Sequence, residues 1–177
     1  MERFRTLRAD EIEVRVAKIS EKGVSLLLYK NARADMSVLD ETVGARNWQR
    51  KHYDCKGNLF CSVGINVNYK DSTKPPLWVW KDDAGEETFA SKEKGEASDS
   101  FKRACFNWGI GRELYTAPFI WVPAKETDLQ QYKNKYICRD KFWLAKILID
   151  DTLRQITALA INNKKGHAFV WQAAKNE

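Results

Sequence analysis

The sequence predicts an α+β fold, and three observations carry the prediction. Residues 91–108 place Ala97, Phe101, Ala104, Cys105 and Trp108 at helical spacing, between a capping Ser91 and the stop residues Gly109 and Gly111. Residues 59–67 set Leu59, Cys61, Val63, Ile65 and Val67 in strict alternation with Phe60, Ser62, Gly64 and Asn66, the pattern of a strand with one buried face. The tail is β-rich: Phe142 to Ile149, a turn at Asp150-Asp151, Gln155 to Ile161, a turn over residues 162–166, then Ala168 to Trp171.

The remaining elements follow in chain order. Residues 10–16 fit two templates, since Ile12, Val16 and Ile19 have helical spacing while Ile12, Val14 and Val16 alternate. Val24 to Tyr29 reads as a short buried strand. Asp35 to Val43 reads as a helix with Met36, Leu39 and Val43 on one face and Gly44 as its stop. A meander follows: a strand from Arg46 to Tyr53, a turn at Lys56-Gly57-Asn58, the alternating strand, a loop ended by Pro75-Pro76, and a third strand from Leu77 to Trp80. Asp82-Asp83-Ala84-Gly85 reads as the turn that closes it. Residues 124–137, polar and poor in apolar positions, are the expected linker.

The chain has 177 residues, with 44% hydrophobic and 12% aromatic side chains, which is the composition of a folded globule with a sizeable core. Thirty Lys and Arg against 24 Asp and Glu give a net charge of +6, which favours a polyanionic partner. The opening Met1-Glu2-Arg3-Phe4-Arg5 has no apolar stretch, so no secretory signal is expected, and no apolar run is long enough to span a bilayer. The four cysteines are dispersed and suit reduced thiols in the cytoplasm. With His52 and His167 the only histidines, a His/Cys zinc cluster is not expected.

Placed at 100° per residue, the long helix separates two faces. Opposite its apolar stripe lie Gly95, Asp99, Lys102, Arg103 and Phe106, so two cations flank one aromatic ring. That arrangement suits a phosphate beside a stacked base; it also suits a solvated face with Phe106 packed under another element or a neighbouring subunit. On the first meander strand Arg46, Trp48, Arg50 and His52 project to one side, and Gln49, Lys51 and Tyr53 to the other. Arg46 and Arg50 flanking Trp48 repeat the pairing of cation and aromatic.

The run Lys94-Gly95-Glu96-Ala97-Ser98-Asp99-Ser100-Phe101-Lys102-Arg103-Ala104, followed by Phe106-Asn107-Trp108-Gly109, resembles the signature helix of the single-strand annealing proteins of the Rad-fifty-two superfamily, whose phage members are often called Sak-type. The family pattern is A-x-[ST]-D-[GS]-[LF]-K-R-A, then an aromatic and a glycine. A second block, residues 38–44 with Asn47-Trp48, resembles the family's helix ending in a glycine four residues before a strand tryptophan. A weaker third is Glu11-Ile12 with Arg15 after Leu7. The blocks occur in the family's order and cover residues 7–115; the tail after 118 is not covered.

The resemblance implies a β-β-β-α annealase core, with a three-stranded antiparallel sheet packed on the long helix, in residues 1–118. It leaves residues 119–177 as a β-rich extension packed on that core. It further implies homo-oligomeric rings or arcs and a basic groove that holds single-stranded DNA for pairing with a second strand, in recombination and repair. Lys102 and Arg103 match the family's central DNA-contacting pair. Arg33, in Tyr29-Lys30-Asn31-Ala32-Arg33, lies near the family's basic residue before the first core helix, offset by an insertion. Lys30, Arg46, Arg50 and Arg112 complete the expected cationic set. Phe106 stands where eukaryotic members have a basic residue, which points this turn toward stacking or subunit packing. Annealing requires no nucleophile, metal or nucleotide, so no enzyme activity and no cofactor are expected, and no G-x-x-x-x-G-K-[ST] loop occurs. A replication or single-strand-binding protein is a further expected partner. The expected location is the cytoplasm, the host's if the chain is phage-encoded.

Three other readings compete. A non-annealing single-strand binder of the five-stranded barrel type would need surface aromatics but no such helix. A metal-dependent nuclease would use Asp82, Asp83, Glu86 and Glu87 with Lys92 and Lys94, but the spacing lacks a clear E-x-K on a strand. A regulatory protein whose basic face binds an acidic partner is a third possibility.

Overall fold

A computed structural model describes residues 3–85 and 92–174. In chain order its elements are β1 (Ile12–Ser20), β2 (Gly23–Lys30), α1 (Ala32–Val43), β3 (Trp48–Cys55), β4 (Asn58–Asn66), β5 (Trp78–Ala84) and α2 (Lys92–Asn107). Then come β6 (Ile120–Pro123), β7 (Leu129–Tyr132), β8 (Lys135–Cys138), β9 (Trp143–Asp150), β10 (Gln155–Asn163) and β11 (Gly166–Gln172). The fold is therefore α+β, with mostly antiparallel sheets and two α-helices among the described residues. None of these helices is long and apolar enough to cross a membrane.

The chain forms two compact units. The first comprises Met1–Leu7 and Lys30–Gly111. Its α1 begins three residues before the sequence suggests, because Asn31 caps it: the Asn31 side chain accepts a hydrogen bond from the Ala34 amide at 3.0 Å. It stops where expected, at Gly44, whose φ of 82° is open to glycine at little cost. Strands β3, β4 and β5 form an antiparallel sheet in that order. The β3–β4 turn holds Lys56 (φ 54°) and Gly57 (φ 77°), the left-handed pair whose twist matches a two-residue hairpin. The alternation read at residues 59–67 holds in part: Cys61, Val63 and Ile65 are fully buried under α2, but Gly64 and Asn66 of the other face are buried as well, Gly64 against Trp80. From the helix side Phe101, Ala104 and Cys105 are also fully buried, and the Trp108 indole N–H donates to the Val63 carbonyl at 2.9 Å. Burying a side chain the size of Phe101 contributes about 1.5–3 kcal/mol, so this stripe anchors the helix to the sheet.

Two local expectations for this unit change. Asp82 and Asp83 are not a turn but strand residues of β5, paired with Ser62 and Cys61 of β4. Their polarity hides the strand, and each side chain finds a polar partner on its own side of the sheet. Arg46 lies in the turn before β3, not on the strand. The expected cap at Ser91 falls outside the described residues.

The second unit comprises Arg8–Tyr29 and Arg112–Glu177. The N-terminal hairpin thus groups with the tail, whereas a boundary at residue 118 assigns it to the core. Residues 12–20 resolve the ambiguous opening as strand. Sheets β1-β2-β6 and β11-β10-β9 lie with β1 beside β9 and β6 beside β11. Their shared core contains Val24 and Leu26 of β2, Ile120 and Val122 of β6, and Ile156, Leu159 and Ile161 of β10. Residues 124–137 are not a linker: they fold into a short 3-10 turn and the β7–β8 hairpin, whose tip, residues 131–135, is exposed. Four-residue β6 is too short to show a period in the sequence.

Candidate nucleic-acid interface

Within the first unit, α2 is held by its apolar stripe, which fixes what its other face presents. Lys102 and Arg103 lie off the apolar stripe of α2, and both are engaged by carboxylates. Lys102 Nζ lies 3.6 Å from Asp99, one turn earlier, with 21% of its side chain exposed. Arg103 Nε lies 3.3 Å from Asp83 of β5, with 46% exposed. Asn107 reinforces the same junction, its side-chain amide donating to the Asp82 carbonyl at 2.9 Å. A pair as exposed as Arg103–Asp83 is worth about 0.2–1 kcal/mol. Phe106 is half-buried on this face.

Strand β3 supplies a second row. Trp48, Arg50 and His52 all face α2, opposite Ile65, Val63 and Cys61 of β4. The Arg50 guanidinium lies 4.9 Å from the centroid of the Phe101 ring, and Trp48 stacks on that same ring at 6.0 Å. The Trp48 indole N–H donates to Asp40 at 2.6 Å. His52 Nε2–H donates to the Ala97 carbonyl at 3.1 Å, which ties the strand to the helix. Arg50 is exposed on its outer side, so the cation is fixed in position yet open to solvent. Arg33 and Arg46 are exposed and make no hydrogen bond or ion pair among the described residues.

Lys30 has a different part. It is buried, forms an ion pair with the fully buried Asp35, and donates to the Lys102 carbonyl at 3.2 Å. Gly111 makes room for it: at φ 77°, an added Cβ would lie 2.6 Å from Lys30 Cδ. Lys30 thus supports α2 from behind and has no surface to offer a phosphate. Its charge alone hid this, because burial is not readable from a lone lysine between a strand and a helix. Arg112 is exposed and belongs to the second unit.

Sequence reasoning missed Lys81. Its ammonium lies 4.7 Å from the Trp108 ring centroid and donates to the Asn107 carbonyl at 2.8 Å, which neutralises the end of α2. The signal was present in the register, because Lys81 falls in the helix-facing phase of β5, opposite Val63.

The acidic pair imagined as a metal site does not converge. Asp82 accepts from Ser62 and Tyr53 on one face of the sheet, while Asp83 meets Arg103 and Asn107 on the other. Glu86 and Glu87 lie outside the described residues. Among the described residues no group of three or more His, Cys, Asp or Glu side chains is arranged to hold a metal ion. Burial pushes the Cys61 thiol up to about 11 and the Cys105 thiol well above its ordinary range. Neither is a thiolate at neutral pH. No protein-family model, curated protein or solved structure matches this chain.

Proposed function

We propose that the first unit binds single-stranded DNA along α2 and the adjoining edge of β3, and that the protein anneals complementary strands in recombination without a nucleotide, metal or catalytic residue. The observation that carries this reading is the division of α2. One face is locked to a three-stranded sheet, the other carries Lys102 and Arg103, and Arg50 of β3 reaches the same helix over the Phe101 ring. The resemblance of residues 94–109 and 38–48 to the Rad-fifty-two superfamily supports it from the sequence side. Fixed cations neutralise phosphates, which lowers the repulsion between two strands, and the rigid platform keeps bases available for pairing. In this reading the protein acts as a ring or arc of identical subunits, meets a replication or single-strand-binding protein, and works in the cytoplasm.

A second reading, single-strand binding without annealing, is favoured by the second unit. It is all-β outside its 3-10 turns and carries 15 of the 30 Lys and Arg but only 11 of the 24 Asp and Glu. Complementary oligonucleotides carrying a fluorophore and a quencher separate the two readings. Annealing accelerated by protein with chelator present, and with no strand scission, is the expected result. Binding that slows annealing supports the second reading, and scission defeats both.

A further inference from the structure

The sheet of the first unit has a second face, and the register shows what lies on it. Gln49, Lys51 and Tyr53 of β3 point away from α2, opposite Gly64, Ser62 and Phe60 of β4 and, beyond them, Trp80, Asp82 and Ala84 of β5. Trp78 stands two residues before Trp80 on the same face, with ring centroids 6.2 Å apart. Tyr53 and Phe60 stack at 5.6 Å and 22°. Four aromatic rings thus share one side of a three-stranded sheet.

Trp80 lies flat because residue 64 is glycine. A Cβ there would come within 2.7 Å of three ring positions, so the indole occupies the space that any other side chain would take. The Lys51 ammonium hovers 4.5 Å from the Trp80 centroid. Lys51 is exposed, Tyr53 is 41% exposed, and both tryptophans are half-buried, so the face meets solvent. Its single carboxylate among the described residues of β3, β4 and β5, Asp82, is already bonded by the Ser62 and Tyr53 hydroxyls.

We propose that this face is a second nucleic-acid site, on which unstacked bases of a single strand lie against Trp78, Trp80 and the Tyr53–Phe60 pair while Lys51 takes a phosphate. The chemistry favours nucleic acid over a protein partner. The rings are interleaved with a cation rather than joined into an aliphatic patch, and their flat surfaces suit any base without regard to sequence. An exposed cation–π contact is weaker than a base stacked on the same ring, so a base displaces Lys51 from Trp80 and frees its ammonium for the backbone. The site shares no residue with the cations of α2. A chain that handles two strands has a use for two sites.

The test uses the full chain, oligo-dT substituted with 5-bromodeoxyuridine, ultraviolet crosslinking and peptide mass spectrometry, with anisotropy titrations of the variants. Crosslinks at Trp78, Trp80 or Tyr53 are expected. Trp78→Ala should weaken binding about tenfold, and Lys51→Gln should flatten the salt slope by about 0.7, with circular dichroism unchanged. Crosslinks confined to α2, with wild-type affinity in Lys51→Gln, overturn this site and leave the α2 reading standing. A changed oligomeric state at unchanged affinity makes the face a protein interface and also overturns it. Absence of wild-type binding to oligo-dT defeats both readings. Should Trp78→Ala not fold, the crosslink map and Lys51→Gln decide alone.

Discussion

Lys30 and Arg103 are both cations paired with an aspartate in the first unit, yet the regions around them do opposite work. In the Lys30 pocket the partners have 9% and 0% of their side chains exposed; on the outward face of α2, Arg103 and Asp83 have 46% and 27%. Burial makes the first pair a structural strut, since removing one partner strands a charge away from water. Exposure makes the second exchangeable, since its loss costs little and its cation can turn to another anion. Charge therefore does not identify a binding residue. What surrounds the charge does.

The sharpest way to break this comparison is Asp35→Ala. It should cost about 3–5 kcal/mol in denaturant titrations by leaving Lys30 unpaired. Lys30→Met combined with Asp35→Leu should recover most of that loss; a double variant as unstable as the single would show that the pair is not the strut. Gly111→Ala comes next, at about 1–3 kcal/mol, because it strains a left-handed residue and presses on Lys30. A smaller effect depends on pH. Cys61 keeps its proton to about 11 when folded, against 9.0 ordinarily, so the unfolded chain ionises first as pH rises. The contribution of this thiol to stability is intact below pH 9 and is lost between 9 and 11. Cys61→Val should remove part of that slope, and an unchanged slope would contradict the assignment. The smallest stability change belongs to Arg103→Ala, within about 1 kcal/mol by thermal melting.

Legibility in the sequence followed length and period. The sixteen residues of α2 repeat their apolar stripe often enough to be read, and so does the alternation along β4. The place of Lys102 and Arg103 off that stripe was legible for the same reason, since a helix whose core face is known has its other face defined. The C-terminal half of β5 was not, because Asp82 and Asp83 carry turn-like composition while their polarity is matched by Ser62, Tyr53, Arg103 and Asn107, all far away in the chain. The grouping of Arg8–Tyr29 with the tail was equally hidden, since it depends on β2 pairing with β6 across roughly a hundred residues. The aromatic face of the sheet was half-visible: Lys51 and Tyr53 were placed on one side of β3, but the meeting of Lys51 with Trp80 and of Tyr53 with Phe60 required the register.

If Lys102 and Arg103 exchange their carboxylates for DNA phosphates, the salt dependence of single-strand binding reads the exchange directly. Affinity for oligo-dT would be measured across a series of salt concentrations for the wild type and for Lys102→Ala with Arg103→Ala. Two lost phosphate contacts should flatten the slope of log affinity against log salt by about 1.4 and weaken binding, with the melting temperature nearly unchanged. A double variant that keeps both the wild-type slope and the wild-type affinity would contradict the account.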